Sequence, residues 1–317
     1  MAKKSSKILL TYIITIVLTL LIAGGVCYFA FSSILFGKND NDTNTSAENI
    51  GLQPMTVVGD YTPSSEDART VLLILDAEKR ESGSCFLVAR FIPTEEQFVF
   101  LPIPSSTSIS SGDGNDTLYN IYRNGGTKKA VTAVESCLGI SIDKYIKFNR
   151  SSFSVIADIF GGIDYDIPYN LVYDNPDTGE ATVLKSGRQF LDSTALRKVL
   201  TYPNYTQGEE YRAKCLGIAI NSLVTNGTSN AESFANNLDD YFVTVINADI
   251  DTDITAYDYD EVKNAMKYVI KNSPGISTFI LSSGIQNGDG QYVLDEKFLA
   301  TLPELFVLDD NSGSISE

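Results

Sequence analysis

Five consecutive apolar residues, Val71-Leu72-Leu73-Ile74-Leu75, decide the fold class of this chain. A strand with one side in solvent alternates apolar and polar residues, whereas an uninterrupted apolar run is typical of a strand covered on both faces. Such a strand needs helices on both sides of its sheet. The run therefore predicts an α/β protein with a buried central sheet.

Candidate strands and helices alternate along the rest of the chain, which supports the α/β assignment. Further strands are predicted at 86–91, 98–103, 145–148, 163–167 and 277–281. Helices are predicted at 127–138, 151–160, 193–200, 209–224, 231–246, 257–270 and 295–305. These elements fit one large domain, which we place at residues 67–308, followed by a polar, disordered tail at 309–317.

The first 36 residues predict a membrane anchor. Three lysines among residues 1–7 precede an uncharged run of 29 residues at 8–36. A helix needs about 20 apolar residues to span a bilayer, and lysines before the span favour a cytoplasmic N-terminus. We therefore expect a single transmembrane helix at 8–36 and a polar extracytoplasmic stalk at 37–66. A cleaved signal peptide is the alternative, but its apolar core is only about 7–15 residues long.

The charge of the chain disfavours nucleic acid as a partner. Only three of the 24 Lys and Arg residues precede the end of the apolar run, whereas all 40 Asp and Glu residues follow it. The extracytoplasmic part is thus strongly acidic. Nucleic acids and anionic lipid headgroups are both bound through basic residues, so neither fits this surface.

Histidine is absent from the sequence, which excludes several kinds of chemistry. Catalysis by Ser-His or Cys-His pairs requires an imidazole, and zinc sites need imidazoles or clustered thiolates. Cys85, Cys137 and Cys215 form no CxxC pair, so we interpret them as buried free thiols. Any reaction must therefore use carboxylates, cations, hydroxyls or a hard metal ion.

Six segments share their order and spacing with one known family. The most specific is Gly161-Gly162-Ile163-Asp164-Tyr165-Asp166-Ile167-Pro168, which is similar to that family's Gly-Gly-Val-Asp-Val-Asp-Val-Pro. The other segments are 71–75, 93–107, 122–148, 184–196 and 291–296. Together they resemble the LytR-CpsA-Psr (LCP) family. The resemblance implies a layered α/β/α domain with a mixed central sheet.

The resemblance also implies an activity. Members of the family transfer a phosphoglycan such as a teichoic acid from polyprenyl pyrophosphate to peptidoglycan, with Mg²⁺. A lipid-linked glycan is therefore the implied ligand, Mg²⁺ the candidate cofactor, and peptidoglycan or another LCP protein the implied partner. Departure of a pyrophosphate requires its charge to be neutralised, which bidentate arginines and a metal ion provide.

Most of the family's phosphate-binding arginines are replaced in this chain. The family's Arg-Ser-Asp-Thr falls on residues 82–85, its Arg-Asp pair on 105–106, and its Arg-x-Arg on 200–202. The family also has a helix with the pattern Asp-x-x-Arg-x-x-Arg-Gln, and of its residues this chain keeps only one arginine, Arg212. Serine, leucine and tyrosine cannot replace a guanidinium fork, so the transfer chemistry is predicted to be degenerate.

Two places keep groups able to act on a phosphate. Asp76 follows the buried strand at the kind of sheet edge where α/β proteins bind ligands, and we assign it as a candidate catalytic residue and metal ligand. Lys79 and Arg80 are candidate phosphate ligands beside it, and Arg212 is a candidate for both phosphate binding and catalysis. The alternatives are a solvated charged turn after the strand and, for Arg212, an ion pair on the helix surface with one of the two preceding glutamates.

The family holds its polyprenyl chain in an apolar pocket between helices and sheet. Here the predicted helices 151–160, 209–224 and 231–246 supply apolar residues for such a pocket or for an ordinary core. The favoured hypothesis is a membrane-anchored extracytoplasmic protein that binds the lipid-linked glycan with degenerate chemistry. The alternatives are an active Mg²⁺-dependent phosphotransferase and a structural or partner-binding envelope protein without a ligand.

Overall fold

The computed structural model describes residues 61–77, 84–111, 114–174, 181–202, 204–273 and 277–306. The predicted anchor, the stalk up to residue 60 and the predicted tail lie outside these ranges. Within them, no helix combines the length and apolar character needed to cross a bilayer.

The described residues contain fourteen strands and eight α-helices. The strands are β1 (Arg69–Leu75), β2 (Cys85–Ile92), β3 (Gln97–Ile103), β4 (Ser108–Ser111), β5 (Gly114–Thr117), β6 (Lys144–Phe148), β7 (Ile163–Ile167), β8 (Leu171–Asp174), β9 (Ala181–Leu184), β10 (Gly187–Leu191), β11 (Asp251–Thr252), β12 (Ser277–Phe279), β13 (Gly284–Gln286) and β14 (Tyr292–Leu294). The helices are α1 (Leu118–Leu138), α2 (Arg150–Phe160), α3 (Ser193–Leu200), α4 (Gly208–Gly227), α5 (Ala231–Asn236), α6 (Leu238–Ile246), α7 (Ala256–Asn272) and α8 (Glu296–Phe306).

Six of these strands form the central sheet, in the order β11-β6-β1-β2-β3-β12. β1 pairs antiparallel with β2 and parallel with β6, while β12 runs parallel to β3. The sheet is therefore mixed. The remaining described strands pair as four small antiparallel sheets: β4 with β5, β7 with β10, β8 with β9, and β13 with β14. Of these eight strands the sequence pattern predicted only β7, because segments of three to five residues show too little periodicity.

Alternate residues of β1 face opposite sides of the sheet, and helices cover both sides. Leu72 and Ile74 pack with residues of α1 and α8 in one apolar cluster. Leu75 belongs to a second cluster, formed with α2, α3 and α4. The apolar run is thus explained by burial on both faces, and the predicted α/β architecture with a mixed central sheet is confirmed.

Two helix predictions are corrected by the structure. The predicted helix 231–246 is two helices, because Asn237 (φ −98°, ψ 7°) leaves the α conformation. Its side chain instead donates to a backbone carbonyl four residues earlier at 2.8 Å, a local bond that competes with helix continuation. The predicted helix 127–138 begins earlier, at Leu118, and is kinked at Gly126 (φ 75°). Glycine tolerates this conformation, so the two halves remain joined.

Candidate functional site

Arg212 lies near the start of α4 and is almost fully buried. Its Nη2 atom donates to Glu209 Oε2 at 2.6 Å, to Ser105 Oγ at 2.9 Å and to the Ser84 carbonyl at 3.2 Å. The Ser105 hydroxyl donates to the same carboxylate oxygen of Glu209. The ion pair that the sequence allowed is therefore present. It lies inside the protein rather than on the helix surface.

Little free space remains beside this guanidinium. The cavity bordered by Arg212, Glu209, Ser105 and Cys85 measures about 10 Å³, which is close to the smallest volume that holds one water molecule. The Glu209 side chain is 33% exposed and that of Arg212 only 4%. Among the described residues, the more accessible Glu209 carboxylate is therefore the group that a phosphate would have to displace from this guanidinium.

Asp76 lies at the same end of the sheet as Arg212, and Ser84 links the two. The backbone N–H of Asp76 donates to the Phe148 carbonyl at 2.9 Å, and its Oδ1 accepts from Ser84 Oγ at 3.1 Å. The Ser84 carbonyl accepts in turn from Arg212. Tyr122 also hydrogen-bonds to Asp76, and burial together with this carboxylate raises the pKa of the phenol. The family-like segment 122–148 begins at Tyr122, but the sequence analysis gave this residue no role and predicted that its helix starts later.

The role of the remaining predicted ligands stays a prediction. Lys79 and Arg80 lie outside the described residues. Among the residues that are described, no group of three or more His, Cys, Asp or Glu side chains is arranged to hold a metal ion. Mg²⁺ in phosphate-transfer sites is bound by one or two carboxylates together with substrate phosphates and waters. Asp76 fits such a site as one ligand that a bound phosphate would complete.

Packed side chains occupy other positions where the resemblance places arginines. Leu200 and Tyr202 are both buried and belong to the apolar cluster beneath α4. The rings of Tyr202 and Tyr205 meet edge to face, with centroids 5.2 Å apart. These positions therefore contribute packing where a phosphate site would need charge.

The three cysteines of the domain are free thiols, as predicted, although Cys137 is partly exposed rather than buried. Cys85 is buried beside Arg212, and its Sγ donates to the Leu200 carbonyl at 3.2 Å. Burial raises the pKa of this thiol to about 11. A thiol is nucleophilic only as the thiolate, so Cys85 does not serve as a nucleophile at neutral pH.

A second and much larger cavity lies between the sheet and the helices α6 and α7. Its volume is about 290 Å³, it is partly open to solvent, and its wall is almost entirely apolar. Four charged residues, Arg69, Arg90, Lys144 and Asp258, also border the cavity, and Lys144 Nζ and Asp258 Oδ1 are 2.7 Å apart. The hydrogen bond from Lys144 is the main cause of the lowered pKa of Asp258. The wall includes Val71, Leu73, Ile146, Phe242, Val245 and Met266.

This position corrects the sequence-based location of an apolar pocket. Of the three helices expected to line it, only the end of 231–246 does so, as α6. α2 and α4 instead pack closely on the sheet, through Phe153 and Leu216 among others. α7 forms the opposite wall, and its pattern is that of an ordinary amphipathic helix, so the sequence offered no signal for it.

Comparison with known proteins identifies the family of this chain and solved structures that share its fold. The LytR_cpsA_psr family model matches residues 37–300. TagU of Bacillus licheniformis, named as a polyisoprenyl-teichoic acid–peptidoglycan teichoic acid transferase, is 24% identical over 305 residues, which is 95% of each chain. The crystal structure of a protein from Eubacterium siraeum, named there as a transcription regulator, matches with a TM-score of 0.66 and 25% identity, over 84% of this chain and 98% of that one.

A further solved structure supports the same fold. Bacillus subtilis TagV matches with a TM-score of 0.58 over 75% of this chain and 95% of that chain. The sequences are 19% identical, so this likeness concerns the architecture alone.

Proposed function

Because this chain belongs to the LytR_cpsA_psr family, we propose that it is a membrane-anchored extracytoplasmic protein of cell-wall glycopolymer assembly. In this role it binds a glycan linked to polyprenyl phosphate or pyrophosphate, while its transfer chemistry is degenerate. Two features of the same domain carry the proposal. An open apolar cavity of about 290 Å³ can take a lipid chain, whereas the candidate phosphate-binding arginine is already ion-paired within the protein.

The cavity supports a lipid ligand. Its wall comes from the aliphatic and aromatic side chains of the sheet, α6 and α7. Water does not fill an apolar cavity favourably, because each buried water molecule needs two to four polar partners. An isoprenoid chain would remove this wall from solvent and contribute about 25 cal/mol for each Å² buried. The teichoic acid transferase TagU, similar over nearly its whole length, supports a lipid-linked glycan as the class of ligand.

The Arg212 cluster supports degenerate chemistry. Glu209 already neutralises this guanidinium, and Leu200 and Tyr202 are packed in the core. Removal of one group that stabilises a transition state typically costs about 10²–10³-fold in rate. Several such losses are not additive, but little transfer activity is expected to survive them.

An active transferase is the second candidate, and one observation favours it. Asp76 and Arg212 lie at the same end of the sheet and are linked through Ser84. With Glu209 displaced by a phosphate, Arg212 would bind the phosphate oxygens and Asp76 would be the residue that holds a Mg²⁺ ion. Such an ion would supply neutralisation of the phosphate charge. Peptidoglycan or another LCP protein would be the partner in either function.

Mass spectrometry of bound lipids tests the proposal on the full chain, purified from membranes in mild detergent. We expect a polyprenyl phosphate or pyrophosphate to co-purify. Val262→Phe places a larger side chain in the cavity wall and should lower lipid occupancy severalfold. Val183→Phe adds the same volume at an exposed strand position, 45% accessible, and should leave occupancy unchanged.

Two outcomes would change the assignment. If neither co-purified nor added polyprenyl phosphate binds in the presence of Mg²⁺, the structural or partner-binding role replaces lipid binding. If the loaded protein transfers glycan to peptidoglycan, and Arg212→Lys together with Asp76→Asn abolishes the transfer, the protein is an active transferase.

A further inference from the structure

α6 is an apolar helix that the domain does not bury. Six of its nine residues, in the sequence Leu238-Asp239-Asp240-Tyr241-Phe242-Val243-Thr244-Val245-Ile246, are aliphatic or aromatic, yet only Leu238 is buried. Val243 is 56% exposed and Ile246 37% exposed. A helix that is apolar around most of its circumference is normally enclosed by protein or lipid. Among the residues that the structure describes, none covers the exposed side of α6.

The exposed residues adjoin the apolar cavity between the sheet, α6 and α7. Phe242, Val245 and Ile246 of the same helix line its wall. Ile246 takes part in both surfaces, since it lines the cavity and is also exposed. Apolar residues thus lead from the inside of the cavity to the outside of α6.

α6 packs against α7 as well as against α2 and α5. The Phe242 and Tyr259 rings stack at 4.2 Å, nearly parallel, and the Tyr259 hydroxyl donates to Asp239 at 2.8 Å. Lys263 and Lys267 of α7 also reach Asp239, at 3.5 and 3.4 Å. These lysines partly offset the negative charge of the two aspartates at the start of α6.

The chain enters the domain on this same side. Tyr61, at the start of the described residues, packs its ring 5.9 Å from that of Tyr268 on α7. Tyr61 also contacts the apolar cluster that includes Met266, a cavity residue. The sequence places 24 residues between the end of the apolar run at Phe36 and Tyr61. Fully extended, 24 residues would span at most about 80 Å.

We propose that the exposed side of α6, centred on Val243 and Ile246, rests on the outer leaflet of the bilayer and that the lipid enters the cavity past it. The proposed anchor precedes a chain that joins the domain beside α7, which favours the α6–α7 side as the one that meets the membrane. The inference rests on the anchor and the lipid ligand of the proposed function. The partner is a bilayer surface, and a zwitterionic one suits the acidic chain best.

The absence of tryptophan from the sequence allows a direct test. Val243→Trp introduces the one tryptophan of the chain on the exposed side of α6. Phe190→Trp is the matched control, because Phe190 on β10 is 62% exposed at a position remote in sequence from α6. Both full-length variants are placed in phosphatidylcholine vesicles whose acyl chains carry bromine, which quenches only tryptophans in contact with lipid.

We expect at least a twofold loss of fluorescence for Val243→Trp and almost none for Phe190→Trp. Equal quenching of the two variants overturns the inference. So does emission that changes only with protein concentration, because a second copy of the chain would then cover α6. If α6 is not quenched but polyprenyl phosphate still binds, this inference alone fails. If α6 is quenched and no carrier binds, the lipid ligand of the proposed function fails instead.

Discussion

At the scale of single residues, the Arg212–Glu209 pair decides what the candidate phosphate site can do. Both partners lie in the first turns of α4, and Ser105 fixes the geometry from the opposite side. A buried guanidinium without its carboxylate is costly, because a buried charge needs a partner. The site is therefore stable as it stands, and a phosphate ligand must compete with a group of the protein itself.

Glu209→Ala should lower the free energy of unfolding by about 1–3 kcal/mol, less than the cost of breaking a fully buried pair because Glu209 is partly exposed. Urea unfolding of the full chain measures this value. Glu210→Ala is the matched control, since this neighbouring carboxylate is exposed and should contribute less than about 0.5 kcal/mol. Equal stability of the two variants would show that Arg212 does not depend on Glu209.

At the scale of secondary-structure elements, two adjacent glycines join α2 to β7 in different ways. Gly161 ends α2 in the left-handed region (φ 82°), and its N–H donates to the Ala157 carbonyl. A Cβ at Gly161 would meet nothing within 4 Å, whereas one at Gly162 would lie 2.5 Å from the Leu191 carbonyl oxygen. Gly162 is therefore required both by its left-handed backbone and by the close approach of β10. Gly161 is required only by its left-handed backbone.

Gly161→Ala should cost about 1–2 kcal/mol, the price of a left-handed conformation for a residue with a Cβ. Gly162→Ala has the same backbone cost plus the clash with β10, and should lose roughly 2–5 kcal/mol. Thermal and urea unfolding of both variants gives the comparison. A smaller loss at Gly162 than at Gly161 would mean that β10 moves freely away from this turn.

At the scale of the whole molecule, buried thiols and phenols make the free energy of unfolding change with pH in the alkaline range. Burial raises the pKa of Cys85 and Cys137 from their ordinary values to about 11. Burial also raises the pKa of Tyr165 and of Tyr205. The folded state thus holds these protons more tightly than the unfolded state. Their contribution is complete below the unfolded pKa and is lost as pH rises through the folded pKa.

The free energy of unfolding should therefore fall steadily as the pH is raised above about 9. Cys85 alone should contribute on the order of 2 kcal/mol to this fall by pH 11. Urea titrations at pH 7, 9, 10 and 11 measure the trend. In Cys85→Ala the slope between pH 9 and 11 should be shallower. An unchanged slope would show that this thiol ionises normally in the folded protein.

The sequence by itself determined the fold class, because an uninterrupted apolar run and alternating element types are local patterns that survive without coordinates. It also determined that arginines are replaced where the family resemblance expects them. Only the tertiary structure decided which contacts the residues at those positions make. The Glu209–Ser105 contact joins residues 104 positions apart, and no periodicity reports such a contact. The cavity likewise depends on how α6 and α7 close over the sheet. Packing between distant elements, rather than the pattern within any one of them, sets that space.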